Sequence, residues 1–560
     1  MQRYIWKAVF PSGMAYAICI IAGMALCPHT LMPKAHGLAE STGPDGSNAK
    51  AVHELGETGE GINVGIISAD NVLKSHQAFY DKDSNGDPIG ESHVDNNDFS
   101  GYGIHEYSHD TWMAGIVASR GWPGYWNDIG VAPDANICSA KVCWGVYPDH
   151  FGSFSWIAEG LNWLVNERNC RVIVTGIATG SDPNGQSNET LLYDYYAYAY
   201  NTVFANAAGN ENTIIAVFGD AYNGITTGGL IVTEPDVYNK VGSASGSGPT
   251  SDGRRKPDLT APAQNQTVPS TPSDTSWHEW TGTQGVTSLS GPHTAGVAAL
   301  LLGLADDSSE PNDGHNEVIK AVIVNSTFPN IKDKSGNLTD PADPNNTWHP
   351  DRGYGRLDAL RAYQLLNTAA ISEDVETTQE KGWAYTTMTK NYEEDSYLIY
   401  GEKNERLVLT VTWNRLITES APGVYNEEAA PKFNIDVTIK DPNNETIFNE
   451  TDTLNNLIKV DLLLAGDGVY EVVLKNTTNK KNRSYALAFE VLVPIPGDFY
   501  PADYIVDYSD MATVAQQWLL EGENLEADLF DDEDSIVNLP DFAEFASHWL
   551  ETDARYYQGQ

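Results

Sequence analysis

Residues 286–302 read VTSLSGPHTAGVAALLL. Two hydroxyl residues, Thr287 and Ser288, open the run, the small residues Ser290 and Gly291 follow, and an apolar stretch ends it. The pattern predicts a core helix, firmest over 292–304, with Ser288 at its start. A helix start has unbonded backbone N–H groups and a positive potential, so it favours a group that becomes anionic. A serine hydroxyl is a weak nucleophile alone and needs a base. His109, in HDTWMAGIVA at 109–118, is the natural one. Asn210 closes the run FANAAGN at 204–210 and can turn its side-chain amide toward a developing oxyanion. Such a donor is worth roughly 3–4 kcal/mol in acyl transfer. A carboxylate should then hold the imidazole in the correct tautomer.

Around these segments, from residue 52 to 366, short β-branched runs alternate with helical ones. Strands are expected at 62–67, 172–174 and 202–205, and helices at 154–166 and 292–304. That alternation predicts an α/β domain with a parallel sheet and helices on both faces. From about residue 370 the pattern changes to β-rich runs at 407–413, 433–439, 458–464, 469–474 and 485–491, separated by turns such as DPNN at 441–444. These predict an antiparallel β-sandwich. The last stretch repeats itself: DYIVD at 503–507 recurs as DSIVN at 534–538, and Asp510, Ala512, Ala515 and Trp518 match Asp541, Ala543, Ala546 and Trp549, all at an offset of 31. Each unit is an acidic loop followed by a short amphipathic helix.

The chain has 560 residues, enough for several domains, with 41% hydrophobic and 20% charged residues. These values exclude a mainly disordered chain, a coiled coil and a collagen. Asp and Glu number 77 against 33 Lys and Arg, a net charge of −44. So acidic a surface repels phosphate backbones, so no nucleic-acid partner is expected. At the N-terminus, Arg3 and Lys7 precede the mostly apolar run 14–26, and small residues follow at Ala35, Gly37 and Ala39. This reads as a secretory signal cut after about Gly37 or Ala39, with no membrane span once it is removed. The mature chain then keeps Cys138, Cys143 and Cys170, an odd number that allows at most one bridge. The boundaries read from these features are 1–39 signal, 40–50 polar linker, 51–367 α/β domain, 368–495 β-sandwich, 496–554 repeats and 555–560 tail.

The motifs resemble those of the subtilisin-like serine proteases, in that family's chain order. HDTWMAG resembles the family's histidine motif HGTHVAG, GVAPDANI at 130–137 matches closely, AAGNE matches the oxyanion asparagine segment, and TSLSGPHTAG resembles GTSMAAPHVAG. The resemblance implies a secreted serine endopeptidase acting on protein or peptide substrates through an acyl-enzyme, with Ser288 as nucleophile, His109 as base and Asn210 in the oxyanion hole. The triad aspartate is less direct. Strict strand alignment puts Ser68 in its place, whereas a one-residue slip or bulge lets Asp70 serve, and Asp70 is the expectation. Other departures are Asp110 for a glycine, Trp112 for the family's second histidine, and Val286 for the glycine before Thr287. Only about a dozen residues separate Ala39 from Val52, so folding without a covalent chaperone segment is expected. His53, His76, His105, His278 and His293 are read as structural or surface residues.

Residues 368–495 resemble the β-sandwich modules that follow many such catalytic domains. The tail resembles dockerin modules, small helical pairs of EF-hand-like calcium loops. The resemblance implies calcium held by Asp503, Asp507 and Asp510 in the first loop and by Asp532, Asp534, Asn538 and Asp541 in the second, since carboxylate-rich loops suit a hard cation. Both loops lack the usual first ligand and the glycine at the sixth position. A cohesin-like or cell-surface scaffold partner is the implied docking target. The main alternative is a catalytically impaired relative serving as a binding or scaffold-associated subunit. An acid-acting relative with Glu and Asp in place of His is disfavoured by HDTWMAG.

Overall fold

A computed structural model describes residues 37–145, 151–178, 182–212, 214–234, 237–338 and 347–493, and parts of 497–548. Residues 1–36, most of the stretch read as a signal at 1–39, lie outside the described residues. The strand read at 62–67 is β1, Asn63–Ser68. Its apolar run is buried on both faces, as befits the centre of a parallel sheet. In chain order there follow β2 (Val94–Asp98), α1 (Ser108–Ala118), β3 (Asn136–Lys141), α2 (Phe154–Asn162), β4 (Val172–Thr175), α3 (Asn188–Tyr200), β5 (Val203–Ala207), β6 (Ile225–Glu234), β7 (Val237–Val241), β8 (Leu259–Pro262), β9 (Gln266–Pro269), β10 (Trp277–Trp280), α4 (Thr287–Asp307), α5 (Asn316–Asn325) and α6 (Ala359–Leu366). The sheet has eight strands in the order β7-β6-β5-β4-β1-β3-β2, with β8 also paired to β6. All its pairs are parallel except β6 with β7.

The helix predicted over 292–304 is longer, running from Thr287 to Asp307. Its N-terminal part carries little apolar signal because small residues there pack against strands. Residues 289–303 are all buried. Among the described residues this is the one helix long and apolar enough to cross a membrane, and 89% of its most apolar window is buried inside the protein. It is a core helix.

After α6 come two sheets, antiparallel among the described residues apart from the short parallel pairing of Glu376–Thr377 with Glu394–Gly401. One contains Glu394–Gly401, Ile435–Lys440 and Gly468–Asn476; the other contains Lys381–Met388, Arg406–Thr412, Leu457–Leu463 and Arg483–Leu492. Their inner faces share one apolar core that includes Trp413, Val437, Leu409, Val472 and Phe489. The second sheet also packs on α5, which is buried on every side. Charged groups are buried in this junction. Lys459 Nζ donates to the carbonyls of Val324 (2.9 Å) and Asn325 (3.2 Å) and to Thr327 Oγ1 (2.9 Å), and burial pulls the amine down to about 7. Arg361 pairs with Glu490 at 2.9 Å, both almost fully buried. Breaking a buried pair leaves one uncompensated charge, which costs roughly 3–5 kcal/mol. Glu490→Gln is therefore expected to lower the unfolding free energy measured by urea denaturation by that much. A change under 1 kcal/mol would mean the junction is not built on this pair.

One sequence expectation changes here. Residues 40–50 are not a solvated linker. Ser41, Thr42, Ser47 and Asn48 are buried, with Thr42 Oγ1 donating to Leu38 O at 2.6 Å and Asn48 Nδ2 to Asp358 Oδ1 at 3.0 Å. Cys138, Cys143 and Cys170 are buried free thiols, so no bridge forms among them.

In the tail, helices Tyr508–Gln517 and Leu539–Ser547 share a small core of Val506, Val514, Val537 and Phe545. Val506 and Val537 are equivalent positions of the repeat.

Candidate active site

In open α/β sheets, ligands bind outside the carboxyl ends of the strands where the strand order switches direction. Here that point is the end of β1, with β3 on one side and β4 on the other. Asp70 follows β1, Asn210 follows β5, and α4 begins on Val286 and Thr287.

Ser288 is half-buried as the second residue of α4. Its backbone N–H belongs to the first turn, where no helical acceptor exists. The glycine expected before Thr287 is not needed. Val286 is extended (φ −71°), while Gly285 takes the left-handed conformation (φ +69°). A side chain at Gly285 would also strike the backbone of Gly242 at 2.7 Å.

Asn210 is tied to this helix start. Its Oδ1 accepts hydrogen bonds from Thr287 N (2.8 Å) and Thr287 Oγ1 (3.0 Å), while Thr287 Oγ1 accepts from Gly209 N (3.1 Å). An N–H can only donate, so Oδ1 must face Thr287 and Nδ2 is turned the other way. The two motifs at 204–211 and 286–302 thus meet in one clamp, with Thr287 as the residue the sequence reading missed.

His109 lies, half-buried, in the first turn of α1. Ser108 Oγ is bonded to Thr271 Oγ1 and accepts from Ser270 Oγ at 3.1 Å. Trp112 Nε1 donates to the same Ser270 Oγ at 3.0 Å. The Trp112 ring stacks on His278 (4.9 Å between centroids) and meets Trp280 at 5.4 Å. Trp112 and Trp280 pack on a cluster of Leu38, Ile116, Ala263, Val268 and Leu289. Trp112 lies one turn beyond His109, and Leu289 follows Ser288, so this cluster sets the first turns of α1 and α4 side by side. Where the family has a second histidine, this chain builds an aromatic wall.

The carboxylates are placed unexpectedly. Asp70 is 1% exposed, and its Oδ1 accepts from His105 Nδ1 at 2.7 Å. No ion pair joins His109 to a carboxylate among the described residues. Ser68 ends β1, fully buried, in the position that strict strand alignment gives the triad aspartate. Asp110 is also 1% exposed, and its carboxyl lies near Ser68 without a well-formed hydrogen bond: neither Ser68 Oγ nor Asp110 Oδ1 has a partner. Burial pushes the Asp110 carboxyl up, while the His109 charge and the Ser68 hydroxyl pull it back.

The remaining histidines have local roles. His53 bonds Val131 O at 2.8 Å, and His76 bonds Ser276 O at 2.8 Å. His293 is fully buried beside Gln266 and Ser47, and burial drives it down to about 3, so it stays neutral. Of the expected calcium ligands, Asp503, Asp507, Asp532 and Asp534 lie outside the described residues, as does the side chain of Asp510. Asp541 is buried and accepts from Asn538 N at 2.8 Å, the reciprocal half of a capping box with Asn538. No group of three or more His, Cys, Asp or Glu suited to a metal occurs among the described residues.

A family model described as the Subtilase family matches residues 59–356. The chain is 29% identical over 286 residues to the serine protease AprX of Bacillus subtilis, covering 47% of this chain and 62% of that protein. It is 27% identical over 280 residues to subtilisin E of Bacillus subtilis, covering 48% of this chain and 63% of that protein. The alignments thus span less than two thirds of these relatives. Among solved structures, the CspB protease of Clostridium perfringens aligns over 57% of this chain and 99% of its own, with 16% identity and a TM-score of 0.47. With its matched region covering just over half of its length, and the family's sheet, helices and motifs in place, the chain belongs to the subtilase family.

Proposed function

We propose that this subtilase is a secreted serine endopeptidase. Ser288 attacks the peptide carbonyl and His109 takes its proton. Asn210 Nδ2 and the Ser288 backbone N–H hold the oxyanion, and water then releases the acyl-enzyme. The observation that carries this reading is the Thr287 clamp, which holds the Asn210 side-chain oxygen against the start of α4, one residue before Ser288, and leaves its amide NH2 facing away from Thr287. Preorganised donors of this kind act where charge develops. Removing one costs roughly 10²–10³ in turnover, so Asn210→Ala is expected to lower kcat by that factor with little change in KM. A raised KM with kcat unchanged would place Asn210 in substrate binding instead.

A fluorophosphonate probe tests the reading directly. The folded protein is expected to label once, at Ser288. A well-folded protein that never labels would support the second reading, an impaired relative acting as a binding or scaffold subunit. That alternative draws on the pairing of Asp70 with His105 and on the absence, among the described residues, of an ion pair at His109.

For the carboxylate that orients His109, Asp70 was the sequence expectation, but His105 engages it. We assign the role instead to Asp110, which is buried near Ser68 and follows His109 in the chain. In the accessory region, the shared junction with α5 supports a stabilising β-sandwich platform. The acidic repeats support a dockerin-like module that binds calcium through Asp503, Asp507, Asp510, Asp532, Asp534, Asn538 and Asp541 and docks on a cohesin-like or cell-surface partner. Calorimetric titration of the whole protein with calcium tests this; no heat of binding at millimolar calcium would leave an acidic helical pair without metal.

A further inference from the structure

Leu38, near the start of the described residues, is fully enclosed. It is 0% exposed and packs with Ile116 of α1 and Leu289 of α4. Its backbone N donates to Asp128 Oδ1 at 2.9 Å. Asp128 is 7% exposed. Burial pushes its carboxyl up to about 7, and the Leu38 N–H, the one hydrogen-bond donor to that side chain among the described residues, opposes that rise. A carboxylate removed from water and held by a single neutral donor is poorly compensated, whereas a cation at the same point would satisfy it. Gly37 is confined as well: a Cβ there would fall 1.9 Å from Asp128 Oδ1.

We infer that the mature chain begins at Leu38 and that its α-ammonium forms a buried ion pair with Asp128. Water hydrolyses the Gly37–Leu38 bond at a signal-type peptidase. The carboxylate leaves with Gly37, and the Leu38 amine takes up a proton. Small residues stand at the third and first positions before this bond, Ala35 and Gly37, as such a peptidase requires. A cut after Ala39, equally open from sequence, would remove Leu38 from the cluster that joins the first turns of α1 and α4. Removal of the leader and ordering of the candidate site are thereby linked: the new terminus docks under the helices that carry His109 and Ser288. The inference rests on reading the N-terminus as a secretory signal, and it is independent of whether the site hydrolyses peptides.

The test begins with the full-length gene expressed in a secreting host and N-terminal sequencing of the released protein. Leu-Ala-Glu-Ser is expected; a terminus at Glu40 or beyond, or one upstream of Leu38, overturns the proposal. The released wild-type protein is then treated at pH 7 with an aldehyde reagent selective for α-amines. At least tenfold slower modification of the folded than of the urea-unfolded protein is expected, and equal rates would overturn the ion pair. Asp128→Asn should abolish this protection and lower the melting temperature. If it fails to fold, the wild-type comparison still decides the question.

Discussion

Replacing Ser288 with alanine is expected to lower turnover of a peptide substrate by about 10⁶-fold, the scale measured for this change in subtilisin itself. The size follows from the mechanism. The oxyanion donors and the binding cleft survive the substitution, and they support roughly 10³–10⁴ of acceleration over water alone. What disappears is the covalent path, together with the use of His109 as a base. Stability should barely move. Ser288 is half-buried, and a surface-type substitution away from caps and buried networks changes stability by about 0.5 kcal/mol or less. Thermal melting and active-site titration, run side by side, separate the two effects. A variant that folds like the parent and keeps a tenth of its turnover would remove Ser288 from the chemistry.

The fold was largely legible because its signals are local. β1 was expected at 62–67 and runs Asn63–Ser68, and the strand expected at 485–491 runs Arg483–Leu492. In both, an uninterrupted apolar or alternating run leaves few other ways to bury the side chains. Where partners are distant, the reading failed. The polar residues of 40–50 look like a linker until Asp358, 310 positions away from Asn48, supplies a bond. The site divides in the same way. Asn210 and Ser288 each stand in a recognisable motif, but the bond from Thr287 to Asn210 spans 77 positions and has no local signature. Asp70 was reached by counting along one strand, and no count along the chain could show that His105 holds its carboxylate. The missed signal was a paired departure: a serine where the family's strand carries aspartate, and an aspartate where its helix carries glycine.

That pairing gives the second large prediction. The orienting group must present a buried, charged oxygen on the Nδ1 side of the imidazole, because a neutral amide there favours the wrong tautomer and costs about 10⁴ in turnover. Ser68 cannot supply the charge. Asp110 reaches the same buried region from the adjacent helix turn, where burial and the Asp70 charge push its carboxyl up while the His109 charge and the Ser68 hydroxyl oppose that rise. In the described geometry no ion pair has formed, so the contact must tighten when substrate closes the site, as catalytic hydrogen bonds often do. Asp110→Asn is therefore expected to lower kcat by about 10³–10⁴ with KM nearly unchanged, whereas Asp70→Asn, which disturbs His105 instead, should cost less than about tenfold. A buried carboxylate also shapes folding, so loss alone does not decide. The double change Ser68→Asp with Asp110→Gly rebuilds the family arrangement and should recover at least a hundredfold of the lost turnover. If Asp110→Asn leaves kcat within threefold of the parent while Asp70→Asn abolishes it, the orienting carboxylate is the one that follows the strand, and His105 must release it during the reaction.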